Sequence, residues 1–460
     1  MLDLERSLVR LLGRRDRYSI GLFGLGRSNA ALLSSLSRLE SVSITVRDER
    51  TDLTVPDTER AVIVRHGKDA LCGITEDVIF LSPSVRRDRR ELSDAAARGT
   101  LLTSDCELFF ADGPSVLGIT GSDGKSTTTA LTAALLRNGG YRAEAVGNIG
   151  VPYATVPKSD VYAAELSSFN LSYVAPVLEA AAITNITPNH LNWHKSYDEY
   201  RAAKLNVLTR AKRTVLSADD PEGLALLMRR GADCAVSVRV PFSRLSRQAE
   251  ARDFFTHERG YICKNGVPLS DTSTYLRREE HTLSNMLTAA ALTDGWVAAD
   301  TLHRTFADFS GLPHRCEHVL TAFGVSFYNS SIDTSPARCA RTLASLDRPV
   351  KLLLGGRGKG LSYEPLTEPL AKYARRIAVY GDEADNITDF LSSTPSLRDI
   401  PARAGSDFDS ALDYLLSDLG HGDTVLLSPA ATAYGEFRDF EERGEHFKNR
   451  VMTYVNASKI

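Results

Sequence analysis

Residues 116–137 read Val-Leu-Gly-Ile-Thr-Gly-Ser-Asp-Gly-Lys-Ser-Thr-Thr-Thr-Ala-Leu-Thr-Ala-Ala-Leu-Leu-Arg, and this stretch decides the fold. An apolar strand over 116–120 runs into a glycine-bearing turn, then into a helix expected over 126–137. Glycines let backbone N–H groups turn inward around phosphate oxygens, and the helix N-terminus adds positive potential. Gly121, Ser122, Asp123, Gly124, Lys125, Ser126 and Thr127 are therefore the expected ATP-binding loop. Lys125 would reach the β- and γ-phosphates, and Ser126 would ligate Mg²⁺. The spacing departs from the usual phosphate loop: Ile119 stands five residues before Gly124, and Gly118 lies one place earlier. A plain strand-to-helix turn with a chance Gly-Lys-Ser is the alternative; the flanking strand and helix favour phosphate.

Outward from this loop, apolar runs at 161–164, 181–185 and 214–218 read as further strands. Glu165 ends the first of them. A carboxylate at a strand's C-terminal end beside a phosphate loop stands where a Mg²⁺ ligand belongs. His190 closes the polar run after the second. A lone histidine is more often structural, but this one falls at a third strand end, so a metal or substrate role stays open beside the structural one. Ser196 and Glu199 have capping-box spacing and open a helix. Lys204 lies two turns into it and, by itself, reads as an exposed surface lysine.

The whole chain follows the same α/β alternation, so the fold class is α/β with mostly parallel sheets. Its 460 residues suggest two to four domains. Three are expected. A Rossmann-like domain over 1–110 has strands at 19–23, 42–46 and 77–81 and a helix at 28–39. A central P-loop ATPase-like parallel sheet occupies 111–311. A second Rossmann-like domain over 312–460 has strands at 325–328, 350–354, 377–380 and 424–427. The Arg-, Ser- and Thr-rich segment 237–280 resists placement, and Gly311-Leu312-Pro313 marks a hinge.

Composition narrows the class. Hydrophobic residues at 43% and charged residues at 25% describe a globular chain. A net charge of −3 gives no field toward nucleic acid or an anionic membrane. The six cysteines are scattered without a CxxC pair, which argues against zinc or disulfides and fits a reducing compartment. Residues 1–17 read as a short helix rather than a signal peptide. No run approaches the ~18 apolar residues of a membrane span. A cytoplasmic protein is expected.

Taken together, TGSDGKST (120–127), GNIG (147–150), ELSSFN (165–170), NITPNH (185–190), YRAAK (200–204), GLPHR (311–315), LLGGRGKG (353–360) and SPAATAYGEFRDFEERG (428–444) resemble the Mur ligase family. The resemblance runs from about residue 18 to 450. It implies an ATP-dependent, amide-forming ligase of peptidoglycan precursor synthesis that activates a carboxyl group as an acyl phosphate. The implied substrates are UDP-N-acetylmuramoyl-L-alanine and D-glutamate, handled by a monomer. Lys125, Glu165, His190 and Lys204 become the catalytic set. Lys204 resembles the family's carbamoylated lysine, and Ser126, Glu165, His190 and modified Lys204 would hold Mg²⁺, as two ions. Asn285 and Arg315 match nucleotide contacts. Ser28, Asp48, Arg50 and Ser82 would hold the uridine diphosphate, with Asn148 and Asn170 toward the sugar and peptidyl end. Thr334, Lys359 and Phe440 match positions that contact the incoming amino acid.

Three positions depart from the pattern. Ile332 stands where the family has a second glutamate-binding lysine, and Ala433 where it has a serine. Losing a charge-assisted bond costs about 1.5–3 kcal/mol, unless Arg357 or Arg338 compensates. Ser330, with Asn329 before it, replaces the acid expected at the ATP ribose, a role into which Asp333 could shift. The rival readings are a sibling ligase, a folylpolyglutamate-type synthetase, or a regulator without catalysis. A dehydrogenase rests only on Gly24-Leu25-Gly26, with Asn29 at the third small-residue place.

Overall fold

The computed structural model describes residues 4–457 apart from 240–242, 244–245, 248–249, 278 and 359. Its first sheet contains β1 (Tyr18–Phe23), β2 (Val42–Asp48), β3 (Ile63–His66), β4 (Val78–Leu81) and β5 (Leu101–Thr103). All pairings are parallel, in the order β3-β2-β1-β4-β5. The inner strands are apolar on both faces because helices cover both sides. Sequence reading missed β3 and β5 for a physical reason. Every residue of β3 is exposed, and β5 is three residues long, so neither carries an apolar run.

Strand order reverses beside β1, which places a ligand crevice at the C-terminal ends of β1 and β4. Gly24 follows β1 with φ +79°. A Cβ there would lie 2.9 Å from the Cβ of Ser82, just after β4, so the two turns can approach only with glycine.

The second sheet comprises β6 (Val116–Thr120), β7 (Ala143–Gly147), β8 (Val161–Glu165), β9 (Ala180–Ile183), β10 (Thr214–Ser217), β11 (Cys234–Val238), β12 (Asp253–Glu258), β13 (Tyr261–Lys264) and β14 (Val267–Asp271). The order is β14-β13-β12-β11-β10-β9-β6-β8-β7. β6 sits between β8 and β9, so the phosphate loop, Glu165 and the segment leading to His190 leave one edge together. The 237–280 segment, which the sequence left unplaced, supplies the antiparallel extension β12–β14. Separate apolar cores fill the two faces of this sheet.

The third sheet has β15 (Glu317–Ala322), β16 (Val325–Asn329), β17 (Val350–Gly355), β18 (Ala374–Tyr380), β19 (Ala402–Ala404) and β20 (Thr424–Ala430), in the order β15-β16-β20-β17-β18-β19. Only β15 pairs antiparallel. The chain divides into two compact units between Phe309 and Ser310, just ahead of Gly311-Leu312-Pro313. The ranges 1–110 and 111–311 each hold a sheet within the first unit. Among the described residues, no helix is long and apolar enough to cross a membrane.

One buried ion pair fixes the working end of β2. Arg47 is 1% exposed; its Nε donates to Glu76 Oε1 at 2.8 Å and its Nη1 to the Ala70 carbonyl at 2.8 Å. Burial alone would raise the Glu76 pKa, but the Arg47 hydrogen bonds hold it below the usual 4.5. Glu76→Ala strands the Arg47 charge and should cost about 3–5 kcal/mol in urea unfolding. Because the folded-state pKa is lowered, the pair's contribution is complete above about pH 4.5 and drains as pH falls below it. Repeating the unfolding series from pH 7 to pH 3 should therefore show the variant converging on the parent.

Candidate active site

The phosphate loop is held from β9's side. Ser122 Oγ donates to the Thr187 carbonyl at 2.8 Å and lies 2.7 Å from the Tyr200 hydroxyl. Thr184 Oγ1 donates to the Asp123 carbonyl at 2.6 Å, and Asn185 Oδ1 accepts from Asp123 N at 2.9 Å. These contacts leave Gly124 (φ +81°) as the start of the helix Lys125–Asn138, one residue earlier than expected. Lys125 Nζ folds back onto the carbonyls of Gly121 and Ser122 at 2.8 and 2.9 Å. Ser126 is buried at the same helix start.

Lys204 corrects the surface reading. It is 2% exposed, and its Nζ donates to the Gly121 carbonyl at 2.6 Å. Burial pushes its pKa well below the ordinary lysine value, and the neighbouring Lys125 charge acts in the same direction. Glu165 and Asp123 oppose that shift without cancelling it. Tyr200, one helical turn before Lys204, presents its ring 4.7 Å from the amine. The capping pattern is half realised: Ser196 Oγ accepts from Glu199 N, while the Glu199 carboxylate accepts from Lys195 N rather than Ser196 N.

Glu165 is 4% exposed, and its Oε2 has no hydrogen-bond partner among the described residues. A buried carboxylate oxygen left this way is costly unless a cation meets it, so the donor set fits a metal ion. His190 sits in the turn after β9 with φ +55°, its ring 5.0 Å from that of Phe169. Among the described residues no three His, Cys, Asp or Glu side chains are grouped closely enough to hold a metal by themselves. The structure thus brings Lys125 and Lys204 together on the Gly121 carbonyl, with the Glu165 carboxylate close enough to act on the Lys204 amine.

In the first sheet, Asp48 Oδ2 accepts from Leu25 N at 2.7 Å and from Arg50 Nη2 at 2.8 Å. The Arg50 guanidinium holds the Asp48 pKa down at about 2. Ser28 faces Asp105, a buried carboxyl whose pKa desolvation raises to about 6. Ser82 and Asn170 line one shallow cleft, together with Arg87, Ser104, Phe169 and Tyr173. Asn148 is exposed in the loop after β7. Asn285 packs against the phosphate loop, its Oδ1 accepting from Thr128 Oγ1 at 3.3 Å.

In the second unit, Arg315 and Thr334 lie in the turns flanking β15 and β16. Phe440 starts the helix Phe440–Ala457, its ring 6.1 Å from that of His314. Lys359 falls outside the described residues. Asp333, considered for the ribose role, is 5% exposed, and its Oδ2 accepts from Thr342 Oγ1 at 2.7 Å and Ser428 Oγ at 2.8 Å. Arg338 does approach the altered position, donating to the Ile332 carbonyl at 3.1 Å.

Sequence reading missed Tyr200 and His194 as site residues. Tyr200 lies four residues before Lys204, a spacing that shares one helix face and could have signalled it. His194, buried and bonded to Ser168 Oγ at 3.0 Å, is held to a pKa of about 4 by desolvation. No sequence signal separates it from His190. A Cβ added at Gly124 would run into Asn285 Oδ1, and its positive φ disfavours any side chain. Gly124→Ala should weaken ATP binding by about ten-fold or more, measured by calorimetry.

Comparison with known proteins gives a consistent picture. Residues 119–293 match the model of the Mur ligase middle domain. A UDP-N-acetylmuramoylalanine–D-glutamate ligase of Clostridium tetani is 31% identical over 446 residues, covering 94% of this chain and 96% of that one. The like-named protein of Ruminiclostridium cellulolyticum is 32% identical over 460 residues, with the same coverage of each chain. Among solved structures, the UDP-N-acetylmuramate–alanine ligase of Thermotoga maritima superposes with a TM-score of 0.60 at 17% identity, over 95% of this chain and 100% of that one. That last likeness speaks to the fold; the near-full-length sequence matches reach further. The chain belongs to the Mur ligase family.

Proposed function

We propose that this chain joins D-glutamate to UDP-N-acetylmuramoyl-L-alanine with ATP, through an acyl phosphate, in peptidoglycan precursor synthesis. The observation that carries the reading is the convergence of Lys125, the unsatisfied Glu165 oxygen and the buried Lys204 amine at one sheet edge. The names of the similar ligases supply the substrates.

The chemistry follows from charge. A carboxylate is a poor acyl donor until an oxygen attacks the γ-phosphorus in line and ADP leaves. Lys125 would spread positive charge over the phosphate oxygens during that transfer. Ser126, Glu165, His190 and Lys204 would hold Mg²⁺, as two ions, which supplies further neutralisation of the same oxygens when bound. Lys204 can serve as a ligand only after losing its positive charge. Burial that favours its neutral amine supports carbamoylation, in which the nitrogen bonds to carbon dioxide and a proton leaves. The incoming amine then attacks the acyl carbon, and phosphate departs from the tetrahedral intermediate.

Ser28, Asp48, Arg50, Ser82, Asn148 and Asn170 would bind the nucleotide-sugar substrate, with support from the cleft that Ser82 and Asn170 share. Gly121, Ser122, Asp123, Gly124, Thr127, Asn285 and Arg315 would contact ATP. Thr334, Lys359 and Phe440 would receive the amino acid, with Arg338 offsetting the charge lost at Ile332. A cytoplasmic monomer completes the proposal. A sibling ligase with another amino acid is the second reading, favoured by Ile332 and by Ala433, which is 5% exposed.

Phosphate release with ATP, Mg²⁺ and UDP-N-acetylmuramoyl-L-alanine, single amino acids being added in turn, separates the two. D-Glutamate should give sustained release and a new amide; a better rate with another amino acid would select the sibling. Lys125→Ala and Glu165→Ala should each lower kcat by about 10²-fold or more.

A further inference from the structure

The loop after β4 carries Ser82, and the turn after β9 carries His190. Both continue into a shared set of contacts. Trp193 Nε1 donates to the Ser84 carbonyl at 2.8 Å. The Arg86 guanidinium lies 4.8 Å from the Trp193 ring centroid and donates to the Trp193 carbonyl at 2.8 Å and to Glu199 Oε1 at 3.0 Å. Its other edge grips both oxygens of Asp88, each at 3.0 Å. Lys195 Nζ reaches Asp88 at 2.7 Å, which closes the network.

These contacts bear on His190 through a short path. Its backbone is in a region that residues other than glycine adopt only when their surroundings over-determine it. The His190 carbonyl accepts from both Trp193 N and His194 N at 3.0 Å. Phe169 packs against the His190 ring at 5.0 Å and against Trp193 at 4.6 Å. Trp193 is thus pinned by Arg86 from the first sheet and by Phe169 from the second. Moving the Ser82 loop must pull on Trp193, and moving Trp193 must disturb His190.

We propose that Arg86, Asp88 and Trp193 are positioning residues that set His190 according to the state of the Ser82 loop, so that binding of the nucleotide-sugar substrate completes the metal–phosphate centre. This rests on the roles given above to Ser82 and His190. A ligase coupled this way does not assemble its ATP-consuming centre until the acceptor of the phosphoryl group is in place.

The chain has two tryptophans, and Trp296 packs against Tyr141 rather than in this network. Trp296→Phe therefore leaves Trp193 as the sole indole reporter. Titrating UDP-N-acetylmuramoyl-L-alanine into that variant, without ATP, should shift Trp193 emission saturably; an unchanged spectrum overturns the coupling. Arg86→Met should lower kcat by about ten- to a hundred-fold and raise the Mg²⁺ concentration for half-maximal rate, with the KM for ATP unchanged. Arg86→Lys should recover part of the loss. If Arg86→Met does not fold, Asp88→Asn provides the same split without removing a large side chain. Normal kcat and Mg²⁺ dependence in these variants, alongside a collapse of both in His190→Ala, would overturn the positioning role and leave the proposed function standing. A His190→Ala protein with unchanged Mg²⁺ dependence would instead sink the assignment of His190 itself.

Discussion

Two amines, those of Lys125 and Lys204, donate to a single carbonyl oxygen, that of Gly121, at 2.8 and 2.6 Å. Two ammonium ions this close, one of them almost wholly buried, repel each other in a medium that screens poorly. The arrangement is relieved if one gives up its proton, and burial selects Lys204. Much of the site follows from that choice. A neutral Lys204 would leave Lys125 as the loop's cation and make the Lys204 amine chemically available. It also leaves the buried Glu165 carboxylate in need of a positive partner.

The sheet makes this arrangement possible. β6 lies between β8 and β9, so three chain segments distant in sequence end side by side. The segment after β9 then serves twice. Thr184, Asn185 and Thr187 brace the phosphate loop through the Asp123 and Ser122 backbone and hydroxyl groups. A few residues later it carries His190 and Trp193 toward the first sheet. The proposed phosphate and nucleotide-sugar sites are therefore adjacent, through a stretch with no apolar periodicity of its own.

Most of the architecture was legible because its strands are continuous apolar runs followed by turn residues. β6 coincides with its expected range, and β8, β9 and β10 fall within two residues at each end. What escaped was mostly edge structure, namely exposed β3, three-residue β5 and β19, β7, β15 and the β12–β14 extension with its mixed composition. With them went β11, a buried interior strand whose Cys-Ala-Val-Ser-Val sequence offers little apolar run. The site divides in the same way. Lys125 and Glu165 were readable from position, since a loop lysine and a strand-end carboxylate have few other uses there. Asp333 was readable only as an acid near the expected place, because sequence says nothing about which way a side chain turns. One of its carboxylate oxygens turns inward, to two hydroxyls.

The sequence alone determined the α/β alternation, the phosphate loop, the family resemblance and the residue types that ligation chemistry requires. These are local properties: strand propensity, glycine placement and motif order are all written along the chain. Tertiary structure decided which of those residues are buried and what they face. Lys204 read as a surface lysine until its helix packed against Gly121, and the Arg86–Trp193 contact joins positions more than a hundred residues apart. Burial and cross-sheet contact depend on how strands are ordered in space, and that order sets the charge each side chain can hold.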